Sequence, residues 1–210
     1  MLKSYFQCFA YNAELSCLRQ TQRRRSKSFV QGFLKGMFKL MEDTTSLSVT
    51  DIAGVNQTLN ANELLACTGA GRNSANFMDG GPGGGGSPNP LLSNEVGIVV
   101  GTGTTAVAPT DYQLATIVND GTSSGQLEYF PCASHNFSVS ATTASFDMER
   151  LFRNSSGGSI TLNEVGIYAI LGMTGVDFES MCIVRDLISP GFAVANGEYM
   201  RIVYTISVTE

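Results

Sequence analysis

Apolar and polar residues alternate along several stretches of the chain with the period of β-strands. Apolar side chains occupy every second position from Val96 to Val100 and again from Val165 to Ala169. This period buries one face of a strand. Turn-forming residues separate seven such stretches: 96–101, 126–130, 135–141, 143–151, 159–171, 180–187 and 198–208. The pattern predicts a mainly β protein with an antiparallel β-sandwich or jelly-roll-like domain.

One pentapeptide, Asn-Glu-Val-Gly-Ile, occurs twice, at 94–98 and at 163–167, and each copy opens a run of β-type residues. A glutamate at that place has to stay hydrated, pair with a cation or accept hydrogen bonds from backbone amides, because an unpaired buried carboxylate is costly.

We therefore predict that Glu95 and Glu164 act as structural clasps, that is, as carboxylates that hold neighbouring segments together. Their expected partners are Arg153, Arg185 or backbone amides.

The first 27 residues follow no sustained period and contain a basic cluster. Arg23, Arg24, Arg25 and Lys27 lie within five positions of one another. This composition predicts a flexible N-terminal arm that meets a partner.

Residues 28–42 place apolar side chains, among them Phe29, Phe33 and Met37, at helical spacing. Lys35 and Lys39 fall on the other side, so the pattern predicts a short amphipathic basic helix. We expect such a helix to pack on its own β body or on a sister subunit; a position on a membrane surface or in a partner's groove ranks below these. Residues 43–210 then form the predicted β-sandwich domain, interrupted by a Gly/Pro-rich loop at 69–90.

The net charge of −5 conceals a division along the chain. Residues 1–39 hold eight basic residues against one acidic residue, whereas the remainder holds five arginines against 17 acidic residues. A basic segment on an acidic body indicates contact with nucleic acid, an anionic membrane or an acidic neighbouring subunit.

Several kinds of chemistry are poorly supported by the sequence. The five cysteines include no Cys-x-x-Cys pair, which argues against a disulfide framework or a zinc site. The Gly-Thr loop at 101–105 lacks the lysine of a phosphate-binding loop. His135 is the only histidine and has no nucleophile motif beside it. The sequence does not decide against a hydrolase that uses two carboxylates, because the distance between acidic side chains cannot be read from sequence.

Several segments between 94 and 210 resemble structural proteins of tailed-bacteriophage virions. They are Ile98 to Thr105, Thr110 to Leu114, Phe152 to Asn154, Ile160 to Tyr168, Val184 to Asp186 and Tyr204 to Val208. In such proteins a Glu-Val-Gly-Ile/Leu-Tyr strand beside an Arg-Asp strand builds a small β-sandwich module of fibres, collars or capsid-associated appendages. The pattern includes no catalytic residue.

The resemblance and the residues together predict a non-enzymatic virion component, assembled in the host cytoplasm, without cofactor, metal site or membrane contact. Its expected partners are identical subunits and other virion proteins; nucleic-acid contact by the basic arm ranks below them. The alternative is a receptor- or carbohydrate-binding fibre head that uses the loop at 79–90.

Overall fold

A computed structural model describes residues 2–26, 29–41, 47–59, 94–173 and 176–210. This part of the chain is mainly β, and its paired strands run antiparallel. The elements are β1 (Leu2–Tyr11), β2 (Cys17–Gln20), β3 (Arg24–Ser26), α1 (Gln31–Met41), β4 (Ser48–Thr50), β5 (Asn56–Thr58), β6 (Gly97–Gly101), β7 (Glu128–Val139), β8 (Thr143–Arg153), β9 (Ile160–Met173), β10 (Val176–Val194) and β11 (Tyr199–Thr209).

The strands form two larger sheets and one short hairpin. A six-stranded sheet has the order β2-β1-β11-β8-β7, with β3 also paired to β1; a three-stranded sheet has the order β10-β9-β6, and β4 pairs with β5. Both larger sheets contribute buried side chains to one hydrophobic core, for example Phe152 from the first and Ile167 from the second. The hydroxyl of Tyr204 also donates a hydrogen bond to Asp186 Oδ2 (3.1 Å), which joins β11 to β10.

The prediction of a flexible N-terminal arm is wrong for residues 2–26, the part of that segment that the structure describes. β1 pairs with β11 along its whole length, from Leu2 opposite Val208 to Tyr11 opposite Tyr199. Phe6 and Cys8 point into the core, and burial of these side chains stabilises the strand. The β body therefore begins in the segment assigned to the arm, not at residue 43, because this segment contacts a strand far away in the sequence.

The predicted helix is present as α1, and its glycines face the β body, Gly32 towards β10 and Gly36 towards Leu171 of β9. A Cβ added to Gly32 would lie 2.4 Å from the carbonyl oxygen of Cys182, so only glycine permits this approach. Just before the helix, the amide of Val30 donates to the carbonyl of Ile183 (3.1 Å). The Gly/Pro-rich loop predicted at 69–90 lies outside the described residues.

Candidate functional site: a buried charge cluster and an exposed helix face

Glu164, in β9, is fully buried and accepts hydrogen bonds from four donors. Three are backbone amides, those of Gly103 (3.1 Å), Ala115 (3.0 Å) and Thr116 (2.7 Å), and the fourth is Nε of Arg185 (2.9 Å). These donors replace the water that the carboxylate loses on burial. Glu164 therefore has the partners expected of a structural clasp: it holds the loop after β6 against β9 and β10.

Arg185, in β10, is the cation of this cluster, and its side chain is also buried. Its Nη1 donates to Asp111 Oδ2 (2.6 Å) and its Nη2 donates to the carbonyl of Thr105 (2.9 Å). Burial alone lowers the pKa of Arg185, but hydrogen bonds to Asp111 and Glu164 outweigh it and raise the pKa. The guanidinium thus stays charged and ties two carboxylates and the loop to the sheet.

The glycines of the Gly101-Thr102-Gly103 sequence make room for the Glu164 carboxylate. A Cβ on Gly103 would lie 2.4 Å from Glu164 Oε1, and one on Gly101 would lie 2.6 Å from the same atom. Heavy atoms cannot approach so closely without displacement. The segment that superficially resembles a phosphate cradle therefore holds a carboxylate of its own chain.

The structure does not bring Glu95 or Arg153 to this cluster. Glu95 is exposed and lines a shallow cavity of about 370 Å³ together with Glu179. Arg153 lies at the end of β8, 3.8 Å from Glu128, and its guanidinium stands over the ring of Tyr199. Of the four predicted clasp residues, only Glu164 and Arg185 meet.

The two copies of the pentapeptide differ because they run in opposite directions. β6 and β9 are antiparallel neighbours, with Ile98 opposite Ile167 and Gly101 opposite Glu164. Glu95 precedes β6 and Glu164 lies opposite its last residue. The two glutamates therefore occupy opposite ends of the paired segment.

Arg150 is a second buried charge, and it is not among the residues predicted from the sequence. Its side chain donates from Nε to the carbonyl of Phe130 (2.7 Å) and from Nη1 to those of Val96 (2.7 Å) and Ile98 (3.1 Å). Burial lowers its pKa. Met148, Arg150 and Phe152 occupy alternate positions of β8, so all three side chains project from the inner face of the sheet. This alternation in the sequence could have indicated that Arg150 is buried.

The basic cluster predicted to dock a partner is partly used within the chain. Arg23 stands over the ring of Tyr5, 4.5 Å from its centroid, and Arg24 donates a hydrogen bond to the carbonyl of Ser189. Arg25 is exposed on β3. Lys27 lies outside the described residues.

Two of the three aromatic or apolar helix residues predicted to dock a partner pack on this chain instead. The rings of Phe29 and Phe33 lie 4.4 Å apart, and both are packed against the hydrophobic core. Phe29 also forms an isolated β-bridge with Val184. Met37 is the exception, because it is exposed.

Met37 belongs to an apolar patch on the solvent side of α1, which we call the outer helix face. Leu34, Met37 and Phe38 are 64%, 44% and 49% exposed, respectively. Positions i, i+3 and i+4 share one side of a helix. The opposite side carries Gly32 and Gly36, which face the β body. The helix thus packs on the β body through its glycines and Phe33 and leaves Leu34, Met37 and Phe38 exposed.

Comparisons of the chain with protein-family models, with curated proteins and with solved structures found no match. Within the described ranges, no cluster of three or more histidine, cysteine, aspartate or glutamate side chains is placed to hold a metal ion. The helix that the structure describes is too short to cross a membrane.

Proposed function

We propose that this protein is a non-enzymatic structural component of a bacteriophage virion and acts through contacts between subunits. The observation that supports this most strongly is the outer helix face, because Leu34, Met37 and Phe38 are large apolar side chains side by side on one element. Contiguous exposed apolar patches mark interaction sites, whereas single exposed apolar residues need no explanation. The proposed occupant is the same face of a second copy.

Energetic considerations support an assembly role for this face. Burying a leucine, methionine or phenylalanine contributes about 1.5–3 kcal/mol. Three such residues on each of two copies supply a substantial apolar centre for a self-complementary interface. In contrast, the charged groups of the Glu164 cluster serve the internal structure, since they are buried and bonded to one another.

We also propose that the two larger sheets form a β-sandwich module of the kind found in virion appendages. Their side chains share one core, and hydrogen bonds from Tyr204 and Arg150 cross between them. The alternative of a receptor- or carbohydrate-binding fibre head depends on the loop at 79–90, which lies outside the described residues, so it stays a prediction.

Sedimentation velocity of the full chain over a range of concentrations tests the subunit contact. We expect species heavier than the monomer, and we expect Phe38→Ser to raise the dissociation constant by about tenfold or more. Val208→Ser is the matched control, because Val208 is also 53% exposed but lies on β11, in the six-stranded sheet, whereas α1 packs on β10. A monomer at all concentrations, or equal effects of the two substitutions, would contradict the proposal.

Mass spectrometry of purified virions tests the location. Detection of the chain in many copies per particle supports a structural role there. Its absence from intact particles would show that the protein acts elsewhere.

A further inference from the structure

The side of the six-stranded sheet that faces away from the core carries a groove of about 680 Å³. We call this side the outer sheet face. The groove is lined by aromatic and charged side chains, among them Tyr5, Phe9, Arg23, Asp147 and Arg201. Neither the Glu164 cluster nor the outer helix face includes any of these residues.

Two aromatic rings on β1 are each covered by a guanidinium group. Arg23 stands 4.5 Å from the ring centroid of Tyr5, and Arg201 stands 4.9 Å from that of Phe9. Tyr5 and Phe9 are four positions apart, so both project from the same side of the strand. The outer sheet face therefore presents two stacked pairs of an arginine and an aromatic ring.

The fold interleaves basic and aromatic residues that are separated in the sequence. β3 pairs antiparallel with β1, and Arg25 of β3 lies directly opposite Tyr5 of β1. Directly opposed residues project from the same side of a sheet. Lys3 lies on this side too, by alternation with Tyr5. Interleaving of this kind is what a nucleic-acid-binding surface requires.

The acidic residues of the outer sheet face are Asp147 and Glu149 on β8 and Glu128 on β7, and all three are engaged with neighbours; Glu128 accepts a hydrogen bond from Ser155 Oγ (2.6 Å) and lies 3.8 Å from Arg153. Asp147 accepts hydrogen bonds from Thr205 Oγ1 (2.7 Å) and from Asn136 Nδ2 (3.1 Å). Glu149 lies 3.5 Å from Arg201 and 3.6 Å from His135. The β1–β3 side is thus the basic part of this face, while the acidic remainder of the chain repels a polyanion elsewhere.

We propose that the outer sheet face binds a single-stranded polynucleotide. Lys3 and Arg25 contact its phosphates, and its bases stack on the guanidinium planes of Arg23 and Arg201, which the rings of Tyr5 and Phe9 hold in place. Unpaired bases stack on aromatic side chains and on guanidinium planes, so the arginines over the rings assist binding. A double strand hides its base faces, and a neutral sugar would need a ring face that the arginines here cover.

Fluorescence anisotropy with the full chain and labelled oligothymidylate or oligouridylate of about 12 nucleotides tests the proposal. We expect the binding constant to fall as salt rises from about 50 to 200 mM. Arg25→Glu should weaken binding at least tenfold and reduce the slope of log K against log salt by about 0.7, the loss of one phosphate contact.

Lys35→Glu is the matched control, because it makes the same charge change on α1, away from the groove. It should weaken binding far less than Arg25→Glu does. Equal losses in the two variants would show attraction by overall charge only and would overturn the proposal.

The stacking part is tested with Phe9→Leu, which we expect to weaken binding about tenfold while circular dichroism stays unchanged. Arg201→Lys provides a second test that keeps the charge and removes the planar group; it should also weaken binding. Linear polyphosphate has no bases to stack. At an equal concentration of charge it should therefore displace the labelled oligonucleotide less than an unlabelled oligonucleotide does. Unchanged affinity in both variants, equal competition by polyphosphate, tighter binding of a duplex, or saturable binding of neutral dextran would each overturn the proposal. A preference between oligodeoxyuridylate and oligouridylate, which differ only in the 2′-hydroxyl, identifies which sugar is bound.

Discussion

The two copies of Asn-Glu-Val-Gly-Ile have the same sequence but different environments. The first copy leads into β6 and the second lies within β9, and these two strands are direct neighbours. Glu164 nevertheless has no accessible surface, whereas Glu95 is exposed. Five identical residues thus give one buried and one exposed carboxylate.

This difference shows that the pentapeptide specifies a strand but not the burial of its glutamate. Around Glu164, burial depends on residues elsewhere in the sequence, since amides from 103 to 116 and the guanidinium of Arg185 converge on it. Glu95 instead lies on a cavity beside Glu179. A buried carboxylate therefore depends on the donors that the fold supplies.

The largest expected effect comes from replacing the buried glutamate. Glu164→Gln should cost about 3–5 kcal/mol, because it leaves Arg185 without one of its carboxylate partners and points an amide at backbone donors. Glu95→Gln should change stability by less than about 0.5 kcal/mol. Urea unfolding of both variants measures the difference. Similar midpoints for the two would mean that the cluster does not stabilise the fold.

A smaller effect should follow from filling the space beside Glu164. Gly103→Ala places a methyl group 2.4 Å from Glu164 Oε1 and 2.8 Å from Cβ of Ala115, so we expect a cost of about 1–3 kcal/mol. Gly158→Ala is the matched control, because a Cβ there meets no atom within 4 Å and should be neutral or slightly stabilising. Thermal unfolding that ranks the two variants in the reverse order would contradict this account of the glycine.

The smallest expected effect concerns Glu179, which lines the same cavity as Glu95 of the first pentapeptide copy. This effect depends on pH. Burial raises the pKa of Glu179, and the carboxylates of Asp51 and Glu95 raise it further. A raised pKa means that the folded state disfavours the charged form. The destabilisation caused by the charged Glu179 side chain is therefore absent at pH values below the unfolded-state pKa and complete at pH values above the folded-state pKa.

Glu179→Gln should consequently stabilise the protein at pH 7, by no more than a few tenths of a kcal/mol because the site is partly solvated. At about pH 3 the gain should vanish, since the wild-type side chain is then protonated in both states. Unfolding midpoints at the two pH values provide the measurement. A gain that is larger in acid would reverse the sign of the proposed effect.

Most strands after residue 94 could be predicted from the sequence because their periods are local. The stretches predicted at 96–101 and 198–208 agree with β6 and β11 to within two residues. The turn between β10 and β11 contains Asn196 and Gly197, a dipeptide typical of hairpin turns, and Gly197 has a φ of 86°. The pairing of Glu164 with Arg185 was predictable because a buried carboxylate requires a cation or amide donors.

The N-terminal strands could not be predicted in the same way. β1 carries aromatic residues on both of its sides, with Phe6 in the core and Tyr5 and Phe9 on the outer sheet face, so no apolar alternation is visible. The groove on that face was missed for the same reason: it brings Arg23 and Arg201 together from opposite ends of the described chain. Local patterns contain no information about such contacts.

The pairing of β1 with β11 has a consequence for how the protein is made. The hydroxyl of Ser207 reaches the carbonyl of Lys3, 204 positions earlier in the chain. On a ribosome, β1 has to wait for β11 to emerge before it can take its place in the middle of the sheet, and so distant a closure slows folding. Trimming the first 27 residues as a dispensable tail would take out three strands and leave one side of β11 open to aggregation.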